Sequence, residues 1–130
     1  MEKRWIVTGL ILVILAIVLG AFGAHGLKSI TSDELILQSF DTATKYQFFQ
    51  GLGFLIIPFI LQRYEINGKF IFVFSLLGTI LFSGSIYGIT CAKINELDGL
   101  LKVFGPITPL GGLCMISAWS ILLVKILRSN

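Results

Sequence analysis

Charge is what this sequence has least of. Of 130 residues, 10 are Lys or Arg and 7 are Asp or Glu, so charged residues make up 13%. A soluble domain carries about 25%. So few charges cannot coat a water-facing surface, which excludes a soluble enzyme or a disordered chain. Beyond Lys3-Arg4 no basic residues adjoin. That excludes a nucleic-acid module, which needs clustered cations to neutralise phosphates. There are 2 cysteines and 1 histidine. Cys91 and Cys114 form no CxxC and join no Cys/His cluster, so neither a disulfide framework nor a metal site is expected. The long apolar stretches contain no Asp or Glu, so the membrane-embedded acid of small proton-coupled exporters is missing. Neither Ser83 nor Ser85 sits in Gly-x-Ser-x-Gly, and no Gly-rich phosphate loop follows a strand. No catalytic residue and no cofactor is expected.

What is there is apolar. Hydrophobic residues make up 55% and the mean hydropathy is +0.92. Four runs carry no Asp, Glu, Lys or Arg: residues 5–27, 46–62, 70–92 and 103–124. A helix needs about 20 apolar residues to cross the hydrocarbon core, and in lipid each segment must satisfy its own amides. The expected fold is therefore an all-α integral membrane protein, a four-helix bundle in one domain over 1–130. Its spans are placed at about 5–25, 46–62, 70–91 and 108–126. Met-Glu-Lys-Arg, the apolar run and Ala21-Phe22-Gly23-Ala24 resemble the parts of a signal peptide. The first run exceeds the usual h-region of about 7–15 residues, so it is expected to stay as a span.

Turn chemistry supports the connections. Asn67-Gly68 lies between the second and third runs. Thr108-Pro109 reads as a cap followed by Pro at the first helical position, which starts the last span there. Between spans 1 and 2, Thr31-Ser32-Asp33-Glu34 has capping-box spacing. Ile36, Phe40, Ala43 and Gln47 then share one face, and Asp41 and Lys45 form an i,i+4 pair. Residues 32–45 are expected as an amphipathic helix lying on the membrane surface or running into span 2.

Four crossings put both termini and the 63–69 turn on one side. That side holds Lys3, Arg4, Arg63, Lys69, Lys125 and Arg128 against Glu2 and Glu65; the other holds four basic and five acidic residues. The positive-inside rule then places both termini in the cytoplasm.

Spanning helices pack through small residues. Gly20 and Ala24 in span 1, Gly84 and Gly88 in span 3, and Gly111 and Ala118 in span 4 are the candidate packing positions. Ser75, Thr79, Ser83 and Thr90 form a hydroxyl row. A polar hub is the candidate site: His25, Tyr46, Gln47 and Gln50, with Ser83, Ser85 and Thr108. The simpler account of His25 is a helix-end residue bound to a carbonyl or water, because interfacial polar groups cost little. Trp5, Trp119, Tyr46, Tyr64 and Tyr87 read as an aromatic belt.

Four strings occur in order: Gly20-Ala21-Phe22-Gly23-Ala24-His25-Gly26-Leu27; Thr42-Ala43 with Tyr46-Gln47; Leu81-Phe82-Ser83-Gly84-Ser85-Ile86-Tyr87; and Thr108-Pro109-Leu110-Gly111-Gly112 with Trp119. Together they resemble the domain-of-unknown-function family 423 of small bacterial inner-membrane proteins. The resemblance implies four membrane helices with an uncleaved first segment, and no activity. Many members carry His where this chain has Gln50, which hydrogen-bonds but cannot titrate. The expected function is that of a small multi-pass structural or accessory protein of the inner membrane. It would act through helix contacts as a homo-oligomer or with other membrane subunits, its partners including the lipid bilayer and no nucleic acid. The alternative is permeation or transport of a small neutral solute or lipid.

Overall fold

The computed structural model describes residues 2–129. Every regular element in them is helical. α1 runs Glu2–Ala24, α2 Gly26–Ile30, α3 Glu34–Arg63, α4 Lys69–Thr79, α5 Ser85–Ile94 and α6 Asp98–Arg128. A π-helical turn, Ile80–Gly84, joins α4 to α5 without a break. The six elements therefore make four rods, each antiparallel to the one before it. The pairings fix the register: Gly9 lies against Gly51, Ser83 against Ala43 and Gly78 against Met115.

Three stretches are long and apolar enough to cross a membrane: Glu2–Ile30, Lys69–Ile94 and Asp98–Arg128. The fourth rod, α3, is long but more polar. It contains Asp41, Lys45, Gln47 and Gln50 within its 30 residues.

Three boundaries differ from those expected. Of the two arrangements expected for the amphipathic stretch 32–45, the structure shows the one that runs into span 2: it forms the first half of α3, which continues through the apolar 46–62. Its cap is Asp33, whose carboxylate accepts from Leu35 N at 2.9 Å and Ile36 N at 3.4 Å. Thr31 Oγ1 instead accepts from Asp33 N at 3.2 Å. A carboxylate is the stronger acceptor for helix-end amides, so the start moves past Thr31. The last helix begins at Asp98, ten residues before the expected Thr108 cap, and carries Pro106 and Pro109 inside it. Leu97, Leu100, Leu101 and Phe104 already follow the i, i+3, i+4, i+7 pattern. Phe104 docks, a Cβ on Gly88 lying 2.8 Å from its ring, while Leu97 and Leu100 stay exposed. Neighbouring helices let a membrane helix tolerate the two missing amide donors. The third difference is the π turn, which no periodicity announces.

The best-packed core lies at the end holding the termini. Trp5, Phe54, Ile57, Leu61, Ile71 and Leu122 form one buried cluster. Trp5 is 2% exposed, with ring centroids 5.2 Å from Phe54 and 5.0 Å from Phe72. It is a core residue, not part of an interfacial belt. Trp119, Tyr46 and Tyr64 do face outward.

Lipid gives helices no hydrophobic reason to associate, so close backbone approach matters. Two glycine crossings supply it. Between α1 and α3, a Cβ on Gly9 would meet Gly51 O at 2.8 Å. Between α4 and α6, a Cβ on Gly78 would meet Met115 N at 2.8 Å, and one on Gly111 would collide with the backbone N of Phe82. The outside of the bundle is apolar, with Ile14, Ile17, Phe59, Phe70, Ile116 and Leu127 all exposed.

Candidate functional site

A polar seam runs between α3 and the α4–α5 rod. Ser75, Thr79 and Ser83 recur every four residues on one face of that rod, and Tyr87 follows four residues later. All three hydroxyl residues are buried. Opposite them α3 presents Ala43, Thr44, Gln47 and Gln50.

Gln47 ties three rods together. Its Nε2 donates to Leu12 O of α1 at 3.0 Å, and its Oε1 accepts from Tyr87 OH at 2.8 Å. Ser83 Oγ donates to Ala43 O at 2.8 Å, and Thr79 Oγ1 donates to Ser75 O at 2.8 Å. On the other side of the rod, Ser85 and Thr108 share a 2.6 Å hydrogen bond that links α5 to α6. Ser85 Oγ also donates to Phe82 O at 2.9 Å, a carbonyl inside the π turn. Thus the turn presents its backbone to Gly111 on one side and serine hydroxyls to α3 and α6 on others.

Two atoms of the seam lack partners. Gln50 Oε1 and Ser75 Oγ are buried without a hydrogen bond. Unpaired buried polar groups are uncommon enough to need an explanation. The Ser83–Ala43 register places them at the same depth to within about one helical turn. One is an acceptor, the other a donor and acceptor. Each can be satisfied by a neutral hydrogen-bonding group.

Beside Gln50 a half-open groove of about 660 Å³ lies between α3 and α6. Tyr46, Phe49, Phe82, Met115 and Trp119 form its walls. Gln50 is its buried polar floor, 6% exposed. The Tyr46 and Phe82 rings pack at 5.0 Å.

The structure divides the expected hub. Gln47, Gln50 and Ser83 belong to the α3 seam, while Ser85 and Thr108 pair with each other on the α5–α6 side. Tyr46 is half exposed on the groove wall. His25 stands apart: it is exposed at the α1–α2 junction, with no side-chain hydrogen bond among the described residues. Of the small residues, Gly88, Gly111 and Ala118 face neighbouring helices. Gly20 and Gly84 have open space where a Cβ would sit, and Ala24 is exposed. Tyr87 was the seam residue that sequence reasoning missed. Its place four residues beyond Ser83 was the available signal. Gly51 and Gly78 were missed as crossing points, because one glycine among apolar residues has no periodicity of its own.

Every donor and acceptor in the seam is neutral. Among the described residues no three His, Cys, Asp or Glu side chains are grouped to hold a metal ion. The Ser83 proton is committed to a carbonyl, not to a base. The chemistry within reach is hydrogen bonding and exclusion of charge.

Comparison with known proteins gives the family. A family model described as a protein of unknown function, DUF423, matches residues 19–112. A UPF0382 membrane protein of Staphylococcus haemolyticus is 34% identical over 123 residues, covering 95% of this chain and 94% of the relative. The UPF0382 membrane protein YwdK of Bacillus subtilis is 34% identical, covering 97% of this chain and 98% of its own. A UPF0382 membrane protein of Schizosaccharomyces pombe is 35% identical over 113 residues, covering 85% of this chain and 91% of its own, so the likeness extends beyond bacteria. No solved structure matches. With its strings, its helical rods and these full-length relatives in agreement, the chain belongs to the DUF423, or UPF0382, family of multi-pass membrane proteins.

Proposed function

We propose that this chain is a non-enzymatic structural or accessory protein of the cytoplasmic membrane, working through lateral helix contacts with copies of itself or other membrane subunits. α3 is read as a fourth crossing, which puts both termini in the cytoplasm. Gln47 and Gln50 are buried against the bundle while the Asp41–Lys45 pair stays on the surface, so the part read as meeting lipid is the apolar stretch 46–62. The observation that carries the proposal is the inward placement of polar groups beside an outward glycine. Gly84 is exposed and meets nothing within 4 Å, and small outward residues are what allow a second helix to approach closely. The experiment is disulfide capture in native membranes using Gly84→Cys in a Cys91→Ser, Cys114→Ser background. Crosslinks to a second copy or to one reproducible membrane protein are expected. A strictly monomeric protein in nanodiscs that captures nothing overturns the proposal.

The α3–α6 groove favours a second reading, in which the bundle holds or moves a small neutral solute or lipid. Support comes from Gln50 Oε1 and Ser75 Oγ, the buried polar atoms that lack partners. Flux in proteoliposomes distinguishes the two: uptake of an uncharged solute that Gln50→Leu abolishes favours transport, and no flux across a broad panel rejects it.

A further inference from the structure

The end of the bundle where α1 and α4 begin holds a cleft separate from the seam. α1 packs chiefly along α3, and α4 along α6. Between α1 and α4 the Trp5 and Phe72 rings meet edge-on, 5.0 Å apart. Two adjoining cavities of about 460 and 550 Å³ flank this contact, and Arg4 and Phe72 line both. Asn67, Lys69 and Val73 complete the first. Lys3, Val7 and Thr8 complete the second.

The two helices are laid out alike. α1 has Arg4 in its first turn, with Val7 and Thr8 three and four residues on. α4 has Lys69 first, with Phe72 and Val73 three and four residues on. At the helical rise Val7, Phe72 and Val73 lie about 5 Å deeper than the cations. The cleft is therefore cationic at its mouth and apolar below. Lys125 adds a further cation at the rim, its Nζ donating to Asn67 O at 3.3 Å. The acids of this end, Glu2 and Glu65, line a different cavity beside Pro58 and Leu61. Arg4 and Lys69 form no ion pair among the described residues, where the one ion pair is Lys45–Asp41 at the opposite end.

A soluble anion uses the cations of such a cleft but gains nothing from Val7 and Val73. An amphiphile uses both. We propose that the α1–α4 cleft binds an anionic phospholipid, with its phosphate between Arg4 and Lys69 and an acyl chain along Val7, Phe72 and Val73. Basic pockets between spanning helices hold charged headgroups by this means, and the positive ends of two helix dipoles add to it. The proposal needs α1 and α4 to span the membrane and any second copy to leave this cleft free.

The test is native mass spectrometry of the full chain in detergent, with equal amounts of phosphatidylglycerol and phosphatidylcholine of the same chain length. Preferential retention of phosphatidylglycerol is expected. Arg4→Gln and Lys69→Gln each lower that retention about fivefold. Lys93→Gln with Lys102→Gln, two cations from the far end, leaves it unchanged. Val73→Trp fills the apolar part and lowers retention with all charges present. Melting curves verify that each variant is folded, and Lys69→Gln and Val73→Trp carry the test if Arg4→Gln does not fold. Four outcomes overturn the proposal. They are equal retention of both lipids, equal loss from the far-end pair, displacement of the lipid by excess inorganic phosphate, and a dimer that retains no lipid.

Discussion

Gln47 is the side chain on which the inside of the bundle turns. It is 5% exposed and uses both ends of its amide, one on Leu12 O and one on Tyr87 OH. Gln47→Leu removes two hydrogen bonds and leaves the Tyr87 hydroxyl and the Leu12 carbonyl without these partners. Hydrogen bonds between membrane helices average about 0.6 kcal/mol each, and a buried orphan costs about 1–3 kcal/mol. A loss of about 2 kcal/mol is expected in detergent-titration unfolding. Adding Tyr87→Phe should recover part of it, because the orphaned hydroxyl is gone; full additivity would show that the two side chains do not interact. His25 gives the contrast. Exposed and unpaired among the described residues, it is expected to tolerate Ala within about 0.5 kcal/mol by the same measurement. The glycines sort in the same way. Gly111→Ala puts a methyl group onto the Phe82 backbone and should cost about 1–3 kcal/mol. Gly84→Ala enters open space and should be neutral or slightly stabilising as measured by unfolding, since Ala favours helix.

At the scale of the element, α3 is the helix for which two arrangements were open. Its first half has the Asp41–Lys45 ion pair, 2.6 Å long, on the surface. Its second half is apolar, yet 30 residues form one helix with Pro58 buried inside it. Continuity is measurable: spin labels at Gln38 and Phe59, both exposed, should lie about 32 Å apart along the axis. A much shorter distance in bilayers would mean that the amphipathic half bends away to lie on the membrane surface. Asp33→Ala should shorten the helix start and cost about 1 kcal/mol in thermal or denaturant unfolding. The residue pattern made both halves legible as helices. Whether they join was not legible, because charge spacing records where lipid ends and not where the backbone turns. In α6 the misleading signal was Thr108-Pro109. Proline usually ends a soluble helix, but membrane bundles tolerate it because neighbouring groups re-satisfy the backbone.

For the whole molecule, the disposition of charge is the main determinant of placement. Six cations surround the two termini and the 63–69 turn, against two acids. Alkaline phosphatase and fluorescent-protein fusions at either end are expected to report the cytoplasm. Opposite compartments for the two ends would leave α3 outside the bilayer and reduce the spans to the three apolar rods. The same asymmetry bears on the α1–α4 cleft, whose cations face the leaflet on the terminal side.

The sequence by itself determined the solvent of this protein, the helical state of its backbone and the set of residues from which the seam is made. A chain with 13% charged residues and apolar runs of spanning length can satisfy its amides in lipid as helices and not as an open sheet. Only the tertiary structure decided which polar residues meet. His25 and Gln47 are equally polar on paper, but one lies at an exposed helix junction and the other is enclosed by three rods. The choice depends on where two glycine crossings bring backbones together and on how one π turn directs Ser83 within it and Ser85 just beyond it. Both are contacts between distant parts of the chain, and helical periodicity, which is local, carries no record of them.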